Sequence, residues 1–386
     1  MANLFLSPRK ILSGKEALET SGLYLKELGS KALIITDNIM VSTGKVQKVT
    51  KVLEENAIQY KLWPGINSEP TDEMVYQGIE LYSEAGCDFL IALGGGSPID
   101  AMKAIGALIT NKGSLTDYMG KELKKTIPNL VAIPTTAGTG SEATQFTIIT
   151  DTKNNVKMLL KGAVLMPSLA IVDPGLTITS PATVTAATGI DALTHAVEAY
   201  SSRKAQPLSD VFAMSACKRI FGNLRQAYIN GSDLEARNQM ALAALEAGIA
   251  FNNSSVTIVH GMSRPIGALF HVTHGVSNAM LLGACLKFAV EGEGTEARFA
   301  DIAKTIGIFK EGMTAKDASW ELIKEIDKLC SDLHIPTLKD YGVARDEFFN
   351  NIDKMADDAL ISGSPDNTRR KPNKDEITEI YKSLWI

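Results

Sequence analysis

The strand-like run Asp88-Phe-Leu-Ile-Ala-Leu93 has, after Asp88, no polar side chain on either of its alternating faces. A strand written this way must be covered on both sides, as happens in parallel sheets sandwiched between helices. Similar strand-like runs occur at Lys31–Thr36, Gln59–Trp63, Asn129–Ile133 and Leu169–Val172, with helical spacing between them at Val46–Glu55, Asp72–Ala85 and Pro98–Ile109. This alternation predicts a doubly wound, mainly parallel α/β sheet. From about Thr183 strand signals vanish. Alanine-rich helical patterns follow at Ala186–Ser201, Leu208–Tyr228, Leu234–Phe251, Thr295–Ile306, Ala315–Leu333, Arg345–Ala359 and Lys374–Leu384. The last opens on Asn373 with Glu376 three residues on, a capping-box pattern. The predicted organisation is an α/β domain over 1–182 and an all-α domain over 183–386, joined near Ile178–Thr183. No Pro/Gly/Ser-rich linker divides them, so close packing around a cleft is expected.

Composition narrows the function. The 386 residues carry a formal charge of −5 and are 45% hydrophobic, which argues for large cores and against disorder or a nucleic-acid footprint. Cys87, Cys217, Cys285 and Cys330 form no CxxC pair and read as buried thiols of a reducing compartment. The start of the chain lacks a secretory pattern. The uncharged stretch Pro265–Leu286 includes Pro265, His271, Thr273, His274, Ser277 and Asn278, and reads as a buried polar site rather than a membrane span. A cytoplasmic protein with no membrane or nucleic-acid partner is expected. Of five histidines, four fall between His195 and His274.

Several motifs bear on chemistry. Gly94-Gly-Gly-Ser-Pro-Ile-Asp100 follows a strand and opens a helix, with Ser97 read as its cap, Pro98 as its first residue and Asp100 at the third position. Backbone N–H groups there suit a pyrophosphate; a plain glycine turn is the other reading. Pro134-Thr-Thr-Ala-Gly-Thr-Gly-Ser-Glu142 places Thr135, Thr136, Thr139 and Ser141 at the carboxyl end of another strand, where ligands of open sheets gather. Asp37, ending the first strand run, reads either as a ribose-binding acid or as a turn residue. Asp191 and His195 share a helical face at i, i+4, which fits either a metal pair or a helical salt bridge. His260 and His274 are each followed by glycine, which leaves room beside the ring. One carboxylate with three imidazoles suits a divalent transition metal. His271 competes with His274 for the last place, and His334 reads as structural.

Taken together and in order, GGGSPID at 94–100, PTTAGTGSE at 134–142, VDP at 172–174, GIDALTHAVEAY at 189–200, VHGM at 259–262 and HG at 274–275 resemble the iron-containing (type III) alcohol dehydrogenase family over essentially the whole chain. The resemblance implies dehydroquinate synthase-like architecture. It implies Asp191, His195, His260 and His274 as ligands of Fe²⁺ or Zn²⁺, and Gly95, Gly96 and Ser97 at the NAD(H) pyrophosphate. It also implies that Asp100, Thr135, Thr136, Thr139, Lys157 and Leu176 line the dinucleotide site, that Asp37 favours NAD over NADP, and that the chain is a homodimer or larger. The reaction implied is interconversion of a small primary alcohol and its aldehyde.

One departure stands out. Many members have histidine where this chain has Arg264. Arginine cannot relay protons at neutral pH but binds carboxylate or sulfonate bidentately. It therefore either pairs with a nearby acid or selects an anionic aldehyde such as sulfoacetaldehyde (giving isethionate) or succinic semialdehyde. His271 is then the candidate proton relay. Neutral diol or alcohol substrates of the 1,3-propanediol, lactaldehyde or butanol type are the alternative. A dehydroquinate synthase-like carbon–oxygen lyase and a non-enzymatic nucleotide sensor are more distant ones.

Overall fold

The computed structural model of the chain describes residues 2–154 and 156–385. Two compact units result: Leu6–Ser180, and the chain from Pro181 onward together with the residues before Leu6. Position in sequence put residues 2–5 with the sheet; they pack instead on the helical unit. Leu4 O accepts from Gln206 Nε2 at 3.1 Å, and Phe5 stacks on Phe212.

Among its described residues the first unit has eight strands: β1 (Lys10–Ser13), β2 (Lys31–Ile35), β3 (Gln59–Trp63), β4 (Phe89–Gly94), β5 (Asn129–Pro134), β6 (Phe146–Asp151), β7 (Val156–Lys161) and β8 (Leu169–Val172). Its helices are α1 (Gly22–Lys26), α2 (Asn38–Ser42), α3 (Lys45–Glu55), α4 (Asp72–Ala85) and α5 (Gly96–Thr110). Six strands form a wholly parallel sheet in the order β1-β8-β5-β4-β2-β3. Strand alternation supplies two cores. Leu33, Ile35, Leu90, Ala92, Leu130 and Ala132 enter one, while Ala32, Ile34, Phe89, Ile91, Val131 and Ile133 enter the other. The doubly wound fold therefore stands as expected. Strand order reverses at β2/β4, so the carboxyl ends of those two strands border the switch point where such sheets bind ligands. Thr36 Oγ1 donates to Leu93 O at 2.7 Å and pins the two ends together. Absent from the predicted strands were the four-residue edge strand β1 and the antiparallel pair β6–β7.

The second unit is all-helical: α6 (Ala182–Ser201), α7 (Pro207–Ile229), α8 (Leu234–Ser254), α9 (Ile258–Phe270), α10 (His274–Ala289), α11 (Thr295–Thr305), α12 (Ala315–Asp332), α13 (Leu338–Tyr341), α14 (Arg345–Ile361) and α15 (Lys374–Ser383). α6 lies at its centre, against α7, α8 and α10. The capping box at α15 forms in both directions: Asn373 Oδ1 accepts from Glu376 N, and Glu376 Oε2 accepts from Asn373 N, each at 2.9 Å. The uncharged stretch Pro265–Leu286 folds as parts of α9 and α10, interrupted at His271–Thr273. Among the described residues no single helix is long and apolar enough to cross a membrane. Cys87, Cys217 and Cys285 are buried, and all four thiols are free.

A buried polar network ties α5 to the 141–148 segment. Lys103, fully buried, donates from Nζ to Ser141 O at 2.7 Å, Thr144 Oγ1 at 2.8 Å and Phe146 O at 2.9 Å. Asp100 accepts from Ser141 Oγ at 2.6 Å and from Ile148 N at 3.0 Å. Burial pushes Lys103 down to about 8 and Glu142 up to about 7. The raised Glu142 has a definite sign. Between its ordinary value near 4.5 and about 7 the folded chain holds a proton that the unfolded chain has released, so stability falls as pH rises through that window. Glu142→Gln is expected to remove a slope totalling about 3 kcal/mol. Urea midpoints of both proteins from pH 4.5 to 7.5 check this; parallel curves would refute it.

Candidate active site

The phosphate-suited loop begins where β4 ends. Gly94 has φ +151, and a Cβ there would meet Pro98 Cγ at 2.7 Å. Helix α5 starts at Gly96 with Gly95 as its cap, so Ser97 is the second helical residue and not the cap, and Pro98 is the third and not the first. No side chain caps α5 and no acid sits in its first turn, which leaves the positive end of the helix to a ligand. Asp100 lies past that turn, and its carboxylate is held by Ser141 and Ile148. The second loop abuts the first: Thr135 N donates to Gly94 O at 2.9 Å, and a Cβ on Gly96 would stand 3.0 Å from Thr139 Cγ2. A Cβ on Gly95 would stand 3.4 Å from Thr136 Oγ1. Asp37, just past β2, caps α2 by accepting from Met40 N at 2.9 Å. Lys157 on β7 pairs with Glu69 at 2.9 Å, while Leu176 is buried in the apolar core.

In the helical unit, α6 places Asp191, His195 and Glu198 at i, i+4, i+7 on one face, with relative exposures of 2, 5 and 0%. α9 supplies His260 from its first turn, and His274 is the first residue of α10. One ligand atom from each of Asp191, His195, His260 and His274 lies within 4.8 Å of all the others. Asp191 Oδ1 is 3.8 Å from His260 Nε2 and 3.7 Å from His274 Nε2. The structure thus brings in His274. His271 is left exposed, at the left-handed C-cap of α9.

Two further residues complete the cluster. Asn278, one turn after His274, points Nδ2 at Asp191 Oδ1 at 2.7 Å and at His260 Nε2 and His274 Nε2, each at 3.2 Å. Glu198 Oε2 meets His260 Nδ1 at 2.5 Å. Spacing alone carried a signal for both: i+7 from Asp191, and i+4 from His274. Burial raises Asp191, yet the three imidazoles and the Asn278 amide outweigh it and hold the carboxyl below its ordinary value. Burial, only partly offset by Asp191, pushes His195 down to about 3, so it stays neutral with a lone pair to give. The donor set fits a metal. Three acceptor atoms converge on one amide that has only two hydrogens, and His195 Nδ1 is buried with no hydrogen-bond partner among the described residues. A shared cation resolves this surplus of lone pairs. The His274 side chain remains 42% exposed, which opens one side of the cluster.

Arg264, half-buried one turn after His260, makes no hydrogen bond or ion pair among the described residues. Burial lowers its affinity for its proton, and the charge of Glu198 acts the other way.

The glycines beside the histidines serve backbone packing rather than ring clearance. A Cβ on Gly261 would meet Pro365 Cδ at 2.6 Å, and one on Gly275 would meet Ala187 O at 2.6 Å. Gly275→Ala is therefore expected to push α10 off α6, costing about 1–3 kcal/mol of stability and weakening metal binding. Denaturant unfolding and metal content of the purified variant check this; unchanged values of both would refute it.

Comparison with known proteins follows the same lines. The family profile described as iron-containing alcohol dehydrogenase matches residues 8–174, and its C-terminal counterpart matches 185–385. A 1,3-propanediol dehydrogenase of Citrobacter freundii is 40% identical over 99% of this chain and 98% of its own. The crystal structure of a 1,3-propanediol oxidoreductase superposes with a TM-score of 0.96 at 38% identity, over all of both chains. A sulfoacetaldehyde reductase from Bifidobacterium kashiwanohense, solved in complex with NAD⁺, superposes with a TM-score of 0.88 at 27% identity, over 100% of this chain and 99% of the other. With both halves matched and the Asp–His₃ donor set assembled, the chain belongs to the iron-containing alcohol dehydrogenase family.

Proposed function

We propose that the protein interconverts a short primary alcohol and its aldehyde with NAD(H). The observation that carries this is the convergence of Asp191, His195, His260 and His274, three of them buried, in a chain of this family. These four residues would hold a divalent metal, Fe²⁺ in keeping with the family and Zn²⁺ with the same donors. Bound there, the metal supplies Lewis acidity at the substrate oxygen, and the dinucleotide supplies the hydride chemistry.

The chain's own part is positional. Asp191 stays ionised, and His195 stays neutral at physiological pH. Gly95, Gly96 and Ser97 present the start of α5 to the pyrophosphate, with Thr135, Thr136 and Thr139 beside them. Asp37 faces the ribose, where a carboxylate repels a 2′-phosphate. Lys157 can join the cofactor cheaply, since a surface pair such as Lys157–Glu69 holds it by only about 0–1 kcal/mol. Leu176 shapes the pocket from the core, and Asp100 acts through Ser141. His271, exposed at the end of α9, is the candidate proton relay. A cytoplasmic homodimer or larger oligomer completes the proposal.

Two substrate readings differ in one residue. Similarity to 1,3-propanediol dehydrogenase supports a neutral diol-type substrate. Arg264, a half-buried guanidinium with no acid paired to it among the described residues, supports an anionic aldehyde such as sulfoacetaldehyde or succinic semialdehyde. NADH oxidation with propanal and with these two anions separates them. On the anionic reading, Arg264→Ala raises KM for the anion about tenfold or more, the loss of one charge-assisted hydrogen bond, and leaves propanal nearly unaffected. Equal effects on both would sink that reading. Asp191→Ala is expected to purify without metal and without turnover. Full turnover in a metal-free Asp191→Ala sample would overturn the proposed function.

A further inference from the structure

We propose that Glu198 is the positioning residue that makes His260 a metal ligand, one carboxylate fixing both the imidazole and the helix that carries it. The inference rests on reading Asp191, His195, His260 and His274 as a metal site.

The geometry is specific. Glu198 is fully buried, on the same face of α6 as Asp191 and His195. Its Oε1 accepts from Thr257 Oγ1 and from Val259 N, both at 2.7 Å. Thr257 is the N-cap of α9 but makes no side-chain cap, so the open start of that helix is served by a carboxylate from another helix. Oε2 of the same group lies 2.5 Å from His260 Nδ1. With Nδ1–H committed there, the Nε2 lone pair is left to face Asp191 and His274.

The choice of residue is informative. A small neutral cap would serve the helix at no charge cost, whereas a buried carboxylate is expensive unless every lone pair finds a donor. What a carboxylate adds is a fixed tautomer, a fixed ring plane and a more basic imidazole. Glu198 thus couples the docking of α9 to the readiness of the metal site.

Zn²⁺ affinity of the metal-free full-length protein, by chelator competition at one pH, tests this alongside the thermal midpoint of the same samples. Glu198→Gln is expected to weaken Zn²⁺ about 10- to 100-fold. In a His260→Ala background the same change should cost less than about twofold, because its route to the metal is gone. Wild-type affinity in Glu198→Gln, or an equal loss in both backgrounds, would overturn the inference. Thr257→Val removes one capping bond and spares the contact to His260. It is expected to lower the thermal midpoint while leaving Zn²⁺ affinity within about twofold. A tenfold loss of affinity there would assign Glu198 to helix capping alone, and also covers the case in which Glu198→Gln does not fold. Failure of the unaltered protein to bind Zn²⁺ would instead strike at the metal-site reading, and the inference would fall with it.

Discussion

The interior of the helical unit turns on one buried carboxylate. Asp191 is 2% exposed, and burial alone would favour its protonated form. It stays ionised because His195, His260, His274 and Asn278 surround it. Those partners come from three helices, so the packing of α6, α9 and α10 is tied to satisfying a single charge. Gly275 lets α10 approach the α6 backbone, and Gly261 lets Pro365 approach α9. What looks like pocket geometry in the motifs is therefore largely helix-packing geometry.

The α/β unit solves a different problem with the same economy. Its sheet reverses strand order at β2/β4, and beside that point the small-residue loops that follow β4 and β5 meet. A helix start without a side-chain cap leaves backbone dipoles to a ligand. Behind it, Lys103, Asp100, Ser141 and Thr144 lock α5 to the following segment. Acidic side chains are thus kept off the first turn of α5, and charges are used beneath it as fasteners. Asp100 illustrates this: the family resemblance led to the expectation that it lines the cofactor, whereas its oxygens accept from Ser141 Oγ and Ile148 N.

Much of this was legible in the chain. The continuous apolar strands gave away a sheet covered on both faces, because a strand with no polar face cannot border water. The i, i+4 pair on α6 and the crowding of histidines marked the donor cluster. Other features were not legible for physical reasons. β1 is only four residues long and mostly exposed, so it carries no burial pattern. Helix α9 escaped assignment because Pro265 interrupts it, and α10 because its apolar residues are spread around the helix rather than along one face. The cap of α5 fell on Gly95 rather than Ser97, since three successive glycines give no side chain to mark where a helix begins.

Donor chemistry and fold class were determined by the sequence itself, because residue type sets which atoms hold lone pairs and apolar period sets which faces are buried. Residue type and spacing left His271 and His274 in competition, the family resemblance favoured His274, and the tertiary structure supplies the reason. Three residues apart in sequence, one ends α9 in a left-handed turn facing water, while the other opens α10 beside Asp191. Only the tertiary structure drew Glu198 to His260 across two helices and Asn278 into the midst of the donors. Local periodicity says which face of a helix a residue occupies. What that face meets depends on where neighbouring backbones can approach, and that distance is written nowhere along the chain.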